Sequence, residues 1–501
     1  MGLLQRRDGK DSWLWQVESN GSWRWEVGDL QHDLYLAAGG PTAIDHDWKQ
    51  RLAPGEEFTS VPVALCHVHG DSDQAFGHLT QYRRRMRRKH DDNERMSLIF
   101  NDYMNCLMGD PDENKIKALL PKVVECGAEY FVIDAGWYAD DSGWWDDVGE
   151  WEPSKKRFPS GFKNLLATIR SHGLIPGVWL EPEVIGVRSV AAGELPEEAF
   201  FQECGQRIVE RGRYQLDYRH EAVRTRMSRT VDKLVNHFGV GYFKFDYNIE
   251  VVAGTDLACS LGVGQLDHNR AYLRWVDSLF ERHPGLVIEN CSSGAQRMDY
   301  AMLAVHTLQS TSDQEDPVLY AAIAAAVPTA VAPEQSATWA YPQRDWDDEI
   351  NALTVVNSLL GRIHLSGRLD QLNQTQLALV AEGMEVYKDI RENLKTALPF
   401  WPLGFPKWHD DWLALGMLTQ VGEVYMSIWR RGGPQQCLLP LPRFRGQKIE
   451  ATLLYPRNYA ATAVWNETTA QIEVDVPPQI CARLFHLTAQ KHRAGDRRCE
   501  T

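Results

Sequence analysis

The pattern of hydrophobic and polar positions changes near residue 96 and again near residue 390. Between these points, short apolar segments alternate with amphipathic segments such as residues 114–127 and 162–173. Apolar residues that recur every three to four positions predict helices, and short apolar runs predict buried strands. Eight strands alternating with helices predict a (β/α)8 TIM barrel, with an open doubly wound sheet as the alternative. The predicted strands span 97–103, 130–137, 175–183, 214–218, 241–248, 286–291, 306–313 and 337–341.

The regions on either side of this segment show strand patterns. Residues 12–19 and 22–29 alternate aromatic and polar positions around Asn20–Gly21, which predicts a hairpin. Residues 72–92 predict one helix with a basic end. The fold class is therefore α/β, and a Pro- and Trp-rich linker is expected at 391–410. The predicted domains are a β region at 1–75, a linking helix at 76–95, a barrel at 96–395 and an antiparallel β-sandwich at 411–490.

The composition excludes several classes of protein. The 501 residues are 44% hydrophobic and 24% charged, which is typical of a globular protein. The net charge of −15 argues against a nucleic-acid partner. No run is apolar enough to predict a membrane span or a signal peptide. Nine scattered cysteines without a CxxC pair favour a reducing, cytoplasmic location.

Carboxylates and tryptophans are concentrated where the predicted strands end, which is where barrel enzymes carry their active sites. Histidine is scarce at these positions, which argues against a metal-dependent hydrolase, and no nucleotide-binding glycine motif follows a strand. Two carboxylates with aromatic platforms are what glycoside hydrolysis requires. The polar and tryptophan positions are Asp102, Asp134, Trp137, Trp179, Glu181, Glu183, Asp217, Lys244, Asp246, Asn248, Glu289, Asn290, Asp313 and Asp316.

Two aspartates stand out among these positions. Asp246 ends an apolar strand, with Lys244 and Asn248 on the same face. A neighbouring ammonium would keep Asp246 ionised, as a nucleophile requires, although a strand-end aspartate can also cap the next helix. Asp313 lies two strands on, and its alternative role is the N-cap of a helix that starts near Asp316. As an acid, Asp313 would need a raised pKa, which nearby carboxylates can supply.

Six motifs occur in a fixed order, namely YFVIDAGW, GVWLEPE, RYQLD, KFDYN, ENCSSGAQRMD and TSDQED. This series resembles that of glycoside hydrolase family 36, the bacterial and fungal α-galactosidases, over residues 95–390. The resemblance implies a retaining double displacement without metal or cofactor. It also implies a small carbohydrate substrate with terminal α-linked galactose, such as raffinose or melibiose.

The resemblance implies a role for individual residues. KFDYN matches the nucleophile motif and TSDQED the acid/base motif, so Asp246 and Asp313 are the expected catalytic pair. Cys291 and Gly294 match residues that line the space around the C2 hydroxyl of the sugar. The full set of expected substrate-binding residues is Asp134, Trp137, Trp179, Arg213, Lys244, Asn248, Cys291 and Gly294.

The chain departs from the family pattern in three places. Ala135 stands where the family has a second aspartate that binds O4 and O6, and Asp140, Asp141 or Asp102 are candidates to compensate. Ser310 stands where the family often has tryptophan. The β region at 1–75 is shorter than the family's N-terminal domain and resembles only its end.

These departures keep two other functions open. Ala135 motivates an α-N-acetylgalactosaminidase or a related α-glycosidase, although Cys291 and Gly294 weigh against an N-acetyl group. The short N-terminal region motivates an inactive carbohydrate-binding fragment. Trp144, Trp145 and Trp151 follow the second strand, where they either form a platform for the sugar or pack among themselves. The sequence leaves a homo-oligomer open.

Overall fold

The computed structural model describes residues 1–141, 143–250 and 252–490. At its centre, eight parallel strands close into a barrel in which each strand pairs with the next along the chain and the last pairs with the first. The predicted (β/α)8 barrel is thereby confirmed. Its strands are β1 (Ile99–Asn101), β2 (Tyr130–Ile133), β3 (Ile175–Leu180), β4 (Tyr242–Phe245), β5 (Val287–Asn290), β6 (Leu308–Ser310), β7 (Ser336–Ala340) and β8 (Arg362–Leu365).

One predicted barrel strand, at residues 214–218, is wrong. Arg213–Gln215 instead lies in a small antiparallel sheet between Val184–Gly186 and Val209–Glu210, outside the barrel. This sheet belongs to the connection between β3 and β4, so RYQLD reaches the barrel mouth from a loop and not from a strand of the barrel.

The eighth strand, β8, was missed because its sequence, RIHL, hides two polar side chains that the barrel buries. Arg362 is completely buried and pairs with Asp92, with 2.8 Å between Nη1 and Oδ2. His364 is also buried and packs edge-to-face against Trp339. The polar residues of this strand have partners elsewhere in the fold, which allows them to be buried. The strand therefore lacks the run of apolar residues from which a buried strand is predicted in a sequence.

Helices surround the barrel and present apolar stripes to it. In the first of them, Ile116, Leu119, Leu120 and Val123 are buried at helical spacing. The helices of this layer are Glu113–Glu125, Phe162–Ser171, Glu221–Lys233, Leu261–Arg282, Tyr300–Leu303, Pro317–Ala326, Asp348–Val356 and Gln374–Leu394.

The N-terminal region contains two small antiparallel sheets. Ser12–Val17 pairs with Gly2–Gln5 on one side and with Val63–Val68 on the other, and Arg24–Leu30 pairs with Asp33–Gly39. The hairpin predicted across Asn20–Gly21 is therefore wrong.

Barrel side chains explain the failed hairpin. The Ser22 amide donates to Oε1 of Gln265 at 2.8 Å, and Gly21 lies so close to Asn269 that a Cβ would approach Nδ2 to 2.2 Å. The segment therefore follows helix Leu261–Arg282 instead of closing a two-residue turn.

The basic helix predicted at 72–92 ends earlier, at Met86, and a short second helix spans Asp91–Arg95. The basic end of the first helix is only partly exposed to solvent. Arg84 and Arg87 both pair with the buried carboxylate of Glu334, at 2.9 and 3.1 Å. The basic run therefore anchors the helix to the barrel.

Two antiparallel sheets face each other after the barrel and enclose a second apolar core, which confirms the C-terminal sandwich. No helix in the described ranges is both long and apolar enough to span a membrane. The five-stranded sheet contains Leu398–Phe400, Trp412–Leu418, Val424–Arg430, Cys481–Ala489 and Ile449–Tyr455, and the three-stranded sheet contains Gln436–Pro440, Gln471–Asp475 and Thr462–Asn466.

Candidate active site

Asp246 directly follows β4 and is surrounded by hydrogen-bond donors. Its Oδ2 accepts from Nε1 of Trp179 at 2.9 Å, and its Oδ1 accepts from the amides of Tyr247 at 2.8 Å and Ser293 at 3.2 Å. Burial alone would raise the pKa of Asp246, but the Lys244 ammonium and these donors outweigh it and hold the pKa below its ordinary value. The carboxylate is therefore kept ionised. It is not a helix cap, because the next helix begins at residue 261.

Lys244 lies on β4 and forms a buried ion pair with Asp134 at the end of β2. Its Nζ is 2.9 Å from Oδ2 of Asp134, which also accepts from Nδ2 of Asn101 at 2.7 Å. The Asp134 amide donates to Oδ1 of Asp102 at 2.8 Å. Burial lowers the pKa of Lys244, but Asp134 and the other carboxylates raise it well above its usual range. The side chain is therefore a fixed positive charge beside the nucleophile candidate.

Asp313 follows β6 and is exposed at the barrel mouth. Although the residue reaches solvent, protein packed around its carboxyl group raises the pKa to about 6, and the charges of Asp246 and Asp134 add to this effect against the opposing Lys244. Its alternative role is filled by Asp316, which caps helix Pro317–Ala326 by accepting from Val318 and Leu319. Asp313 is thus free to transfer a proton.

A tight loop after β5 links the two aspartates. Ser293 donates its amide to Asp246, and its amide and hydroxyl also donate to Oδ1 of Asn248, at 3.2 and 2.7 Å. Gly294 has φ +82°, and a Cβ there would lie 2.8 Å from the amide nitrogen of Asp313. The buried Cys291 closes the turn, because its Sγ accepts from the Gly294 amide at 3.4 Å. One loop therefore contacts both members of the candidate catalytic pair.

Arg213 lies beneath the surface of the site. Its guanidinium stacks under the Trp145 ring at 3.7 Å, and Nη1 donates to Oε1 of Glu181 at 3.0 Å. Nη2 is 3.0 Å from Oε2 of the same carboxylate but is not aligned for a hydrogen bond. Glu181 Oε1 also accepts from the Asn248 amide at 2.6 Å. Burial raises the pKa of Glu181 to about 7 despite Arg213. Arg213 is therefore covered by Trp145, and its contact with a sugar hydroxyl stays a prediction.

Trp137 is completely buried and lies behind Trp179. Its ring stacks on Phe162 with centroids 5.4 Å apart and an interplanar angle of 11°, and its Nε1 donates to the Trp179 carbonyl at 2.9 Å. We therefore correct its predicted role from sugar contact to support of Trp179.

The tryptophans of the loop after β2 divide between surface and core. Trp144 and Trp145 are partly exposed, and Trp144 packs edge-to-face on Trp179 at 5.8 Å. Trp151 is buried against Trp137 and Trp179. The first two can therefore form a platform at the mouth, whereas Trp151 belongs to the packing beneath it.

The structure also distinguishes among the residues proposed to compensate for Ala135. The Asp140 carboxylate accepts from the Ser154 hydroxyl, and the Asp141 carboxylate accepts from the Gly143 amide. Both carboxylates therefore form hydrogen bonds within the loop after β2. Asp102 is buried beside Asp134, and its Oδ2 has no hydrogen-bond partner within the described ranges. Of the three candidates, Asp102 is therefore the one whose carboxyl group lies beside Asp134, the residue before Ala135.

The other departure, Ser310, is the last residue of β6. Its Oγ is buried and, as far as the described residues show, has no hydrogen-bond partner. A small polar side chain therefore stands where the family often has the indole ring of a tryptophan.

Sequence reasoning missed two aromatic neighbours of Lys244. The Tyr103 ring lies 5.8 Å from Nζ and the Trp339 ring 5.6 Å. Burial, with the charge of Asp134, raises the pKa of Tyr103 to about 12, so it stays a neutral hydroxyl. The position of Tyr103, one residue beyond Asp102 at a strand end, was the signal that could have identified it.

The melibiase family model matches residues 63–409 of this chain. The chain belongs to the melibiase family. An α-galactosidase of Lactobacillus acidophilus is 28% identical over 284 residues, which covers 55% of this chain and 38% of the relative. AgaA of Geobacillus stearothermophilus is 25% identical over 370 residues, covering 70% and 49%. This melibiase-family chain spans about half the length, or less, of these two curated relatives.

Solved structures show the same fold. A doubly substituted variant of the family 36 α-galactosidase AgaA in complex with raffinose superposes with a TM-score of 0.84 at 18% identity, covering 97% of this chain and 69% of the AgaA chain. The galactosidase domain of the α-galactosidase–sucrose kinase AgaSK gives 0.82 at 16% identity, covering 97% and 68%. These structures show the fold alone, whereas the family model and the curated α-galactosidase relatives confirm the family resemblance.

Proposed function

We propose that this chain is a retaining α-galactosidase that removes terminal α-linked galactose from oligosaccharides or glycosides. The observation that carries the proposal is the contrast between two neighbouring carboxyl groups. Asp246 is held ionised by Lys244 and Trp179, whereas the pKa of Asp313 is raised to about 6. Retaining glycosidases need this pair, because one carboxylate attacks while the other, still protonated, donates its proton.

In the first step, Asp246 attacks the anomeric carbon while Asp313 protonates the oxygen of the leaving group. The bond from the sugar to the leaving group breaks, and a covalent glycosyl–Asp246 ester forms. Trp179 donates to Oδ2 and the two amides to Oδ1, so the carboxylate enters the reaction with its orientation fixed.

In the second step, Asp313, now ionised, takes a proton from water, and the resulting hydroxyl attacks the anomeric carbon. The ester bond to Asp246 breaks, and galactose leaves with its original anomeric configuration. The exposure of Asp313 at the barrel mouth gives that water direct access to it.

We assign Asp134 and Lys244 to the recognition of sugar hydroxyls, because a charged pair at the base of the site offers both an acceptor and a donor. The proposed substrate class is the raffinose type, including melibiose. Its support is that AgaA, a member of the same family with the same fold, has been solved in complex with raffinose and with stachyose.

The test is hydrolysis of an aryl α-galactoside by the wild-type chain and by Asp246→Gly, with and without azide. We expect the variant to lose turnover and azide to restore it by occupying the space of the carboxylate. An unchanged rate in the variant would refute the assignment of the nucleophile. The N-acetyl analogue, run in parallel, separates an α-galactosidase from an α-N-acetylgalactosaminidase.

We also propose a cytoplasmic location. Its support is that the eight cysteines among the described residues are free thiols, as in proteins of reducing compartments. Cell fractionation checks it.

A further inference from the structure

Three side chains that could bind a metal ion meet on one face of the N-terminal sheet. Asp11 immediately precedes strand Ser12–Val17, and His67 and His69 lie at the end of strand Val63–Val68. The strands pair in the register Trp13↔His67 and Ser12↔Val68, which brings Asp11 alongside His69. Residues two apart on a strand project to the same face, so both imidazoles lie on the side of Asp11.

Both imidazoles converge on the same carboxylate oxygen. Nδ1 of His69 is 2.6 Å from Oδ1 of Asp11, and Nε2 of His67 is 3.5 Å from it. One ligand atom from each of the three residues lies within 4.8 Å of the others. The His67 ring is stacked on Trp13 with centroids 4.9 Å apart and an interplanar angle of 17°, which holds it in place.

We propose that Asp11, His67 and His69 form a Zn²⁺ site. Two imidazole nitrogens and one carboxylate oxygen are a ligand set that Zn²⁺ accepts, with water in the remaining position. Ca²⁺ and Mg²⁺ prefer ligand sets made of oxygen, so two imidazoles disfavour them. The ion would occupy the space between Oδ1, Nδ1 and Nε2, and the protons on the coordinating nitrogens leave as it binds.

The second carboxylate oxygen of Asp11 is already held by protein. Nη1 of Arg6 is 3.0 Å from Oδ2, and the same guanidinium pairs with Asp8 at 2.9 Å. This contact orients the carboxyl group and leaves Oδ1 for the metal, as outer hydrogen bonds do in established metal sites. Bound Zn²⁺ would then link Asp11, which precedes strand Ser12–Val17, to the end of the neighbouring strand Val63–Val68. This link would stabilise the sheet.

The test uses the full chain after treatment with a chelator. Zn²⁺ is titrated by calorimetry into the wild type, His69→Ala, Asp11→Asn and the control His32→Ala, which removes an exposed histidine from the turn after strand Arg24–Leu30. His69 is 86% exposed at its side chain, so its removal spares the fold. We expect the wild type and the control to bind one more Zn²⁺ than the two site variants, or to bind it at least about tenfold more tightly.

Two further measurements keep the test decisive. Zn²⁺ should raise the melting temperature of the wild type and of the control more than that of His69→Ala. Co²⁺ in place of Zn²⁺ should give visible bands without the thiolate charge-transfer absorption that a cysteine site produces. The proposal is overturned if the wild type binds no Zn²⁺, if both site variants bind it with unchanged stoichiometry and affinity, or if the Co²⁺ spectrum shows thiolate ligation. Hydrolysis of galactosides plays no part in these readouts, so they are independent of the proposed function.

Discussion

Trp179 and Asp246 are joined by a 2.9 Å hydrogen bond from the indole Nε1 to Oδ2. The bond spans β3 and β4, whose register sets Trp179 beside Lys244. An indole donor and an ammonium therefore both act on the same carboxylate. Because burial opposes ionisation, the low pKa of Asp246 depends on these partners.

Replacing Trp179 by phenylalanine removes the donor and keeps an aromatic ring. We expect Trp179→Phe to lower kcat by about ten- to a hundredfold, in line with the loss of one buried hydrogen bond to a charged group. The acid limb of kcat/KM should shift to higher pH, because the pKa of Asp246 rises without the donor. Rates on an aryl α-galactoside from pH 3 to 8 measure both effects. Trp408→Phe, at an exposed tryptophan, is the matched control. An acid limb that stays in place would contradict the proposed role of the hydrogen bond.

The pH dependence of the wild type follows from the two carboxyl groups. Asp246 must be ionised and its pKa is lowered, so activity falls only when the pH drops below the ordinary aspartate range of about 4. Asp313 must be protonated and its pKa is about 6, so activity falls as the pH rises through about 6. We expect a bell-shaped profile of kcat/KM whose alkaline limb disappears in Asp313→Asn. That variant should lose far more activity on melibiose than on an activated aryl galactoside, which needs little protonation. Equal losses on the two substrates would rule out Asp313 as the acid.

Gly294 is expected to be intolerant of a side chain. A Cβ there would lie 2.7 Å from Cα and the carbonyl carbon of Ser312 and 2.8 Å from the Asp313 amide, and φ is +82°. Gly294→Ala should therefore displace Asp313 and lower kcat by about tenfold or more, chiefly on substrates with poor leaving groups. Gly285→Ala, at a glycine with open space around it, is the control. Comparison of melibiose with an activated aryl galactoside checks the effect, and equal rates for Gly294→Ala and the wild type would show that the loop yields.

The barrel could be predicted from sequence because most of its strands are apolar and regularly spaced, and the ends of those strands gave Asp246, Asp313 and Lys244 as candidate site residues. Two of the failed predictions, the missed strand β8 and the hairpin at Asn20–Gly21, have one physical cause. The polar strand β8 is stabilised by Asp92, and the Asn20–Gly21 segment by Gln265, both through contacts distant in sequence. Local pattern carries no information about such partners.

The depth of individual side chains in the site also depends on contacts that are distant in sequence, so it could not be predicted. The sequence placed Trp137 and Trp179 alike at strand ends, but only the packing reveals that Trp179 contacts the nucleophile candidate while Trp137 lies behind it. The burial of Arg213 under Trp145 likewise depends on the loop after β2 folding over the β3–β4 connection. The residue types were predictable, whereas their depth in the site was not.

A buried ion pair between Glu183 on the β3–β4 connection and Arg297 after β5 gives the last prediction, which concerns stability. Glu183 accepts from Nη2 and Nη1 of Arg297 at 2.5 and 3.2 Å and lies 3.1 Å from Nε2 of His268. Burial raises the pKa of Glu183, but Arg297 and His268 outweigh it and bring the pKa to about 2. Glu183→Gln leaves the Arg297 charge buried without its partner and should cost about 3–5 kcal/mol of unfolding free energy. The double variant Glu183→Leu/Arg297→Met, which removes both charges, should cost less.

The same pair makes the stability dependent on pH. Because the pKa of Glu183 is lowered on folding from 4.5 to about 2, its stabilisation is fully present above about pH 4.5 and is lost as the pH falls toward 2. The difference in melting temperature between the wild type and Glu183→Gln should therefore be constant from pH 7 to 5 and shrink below that range. The double variant, which has no carboxyl group at this position, should follow Glu183→Gln in its pH dependence while melting at a higher temperature. A difference between the wild type and Glu183→Gln that grows in acid would show that Glu183 is already protonated in the folded protein at neutral pH.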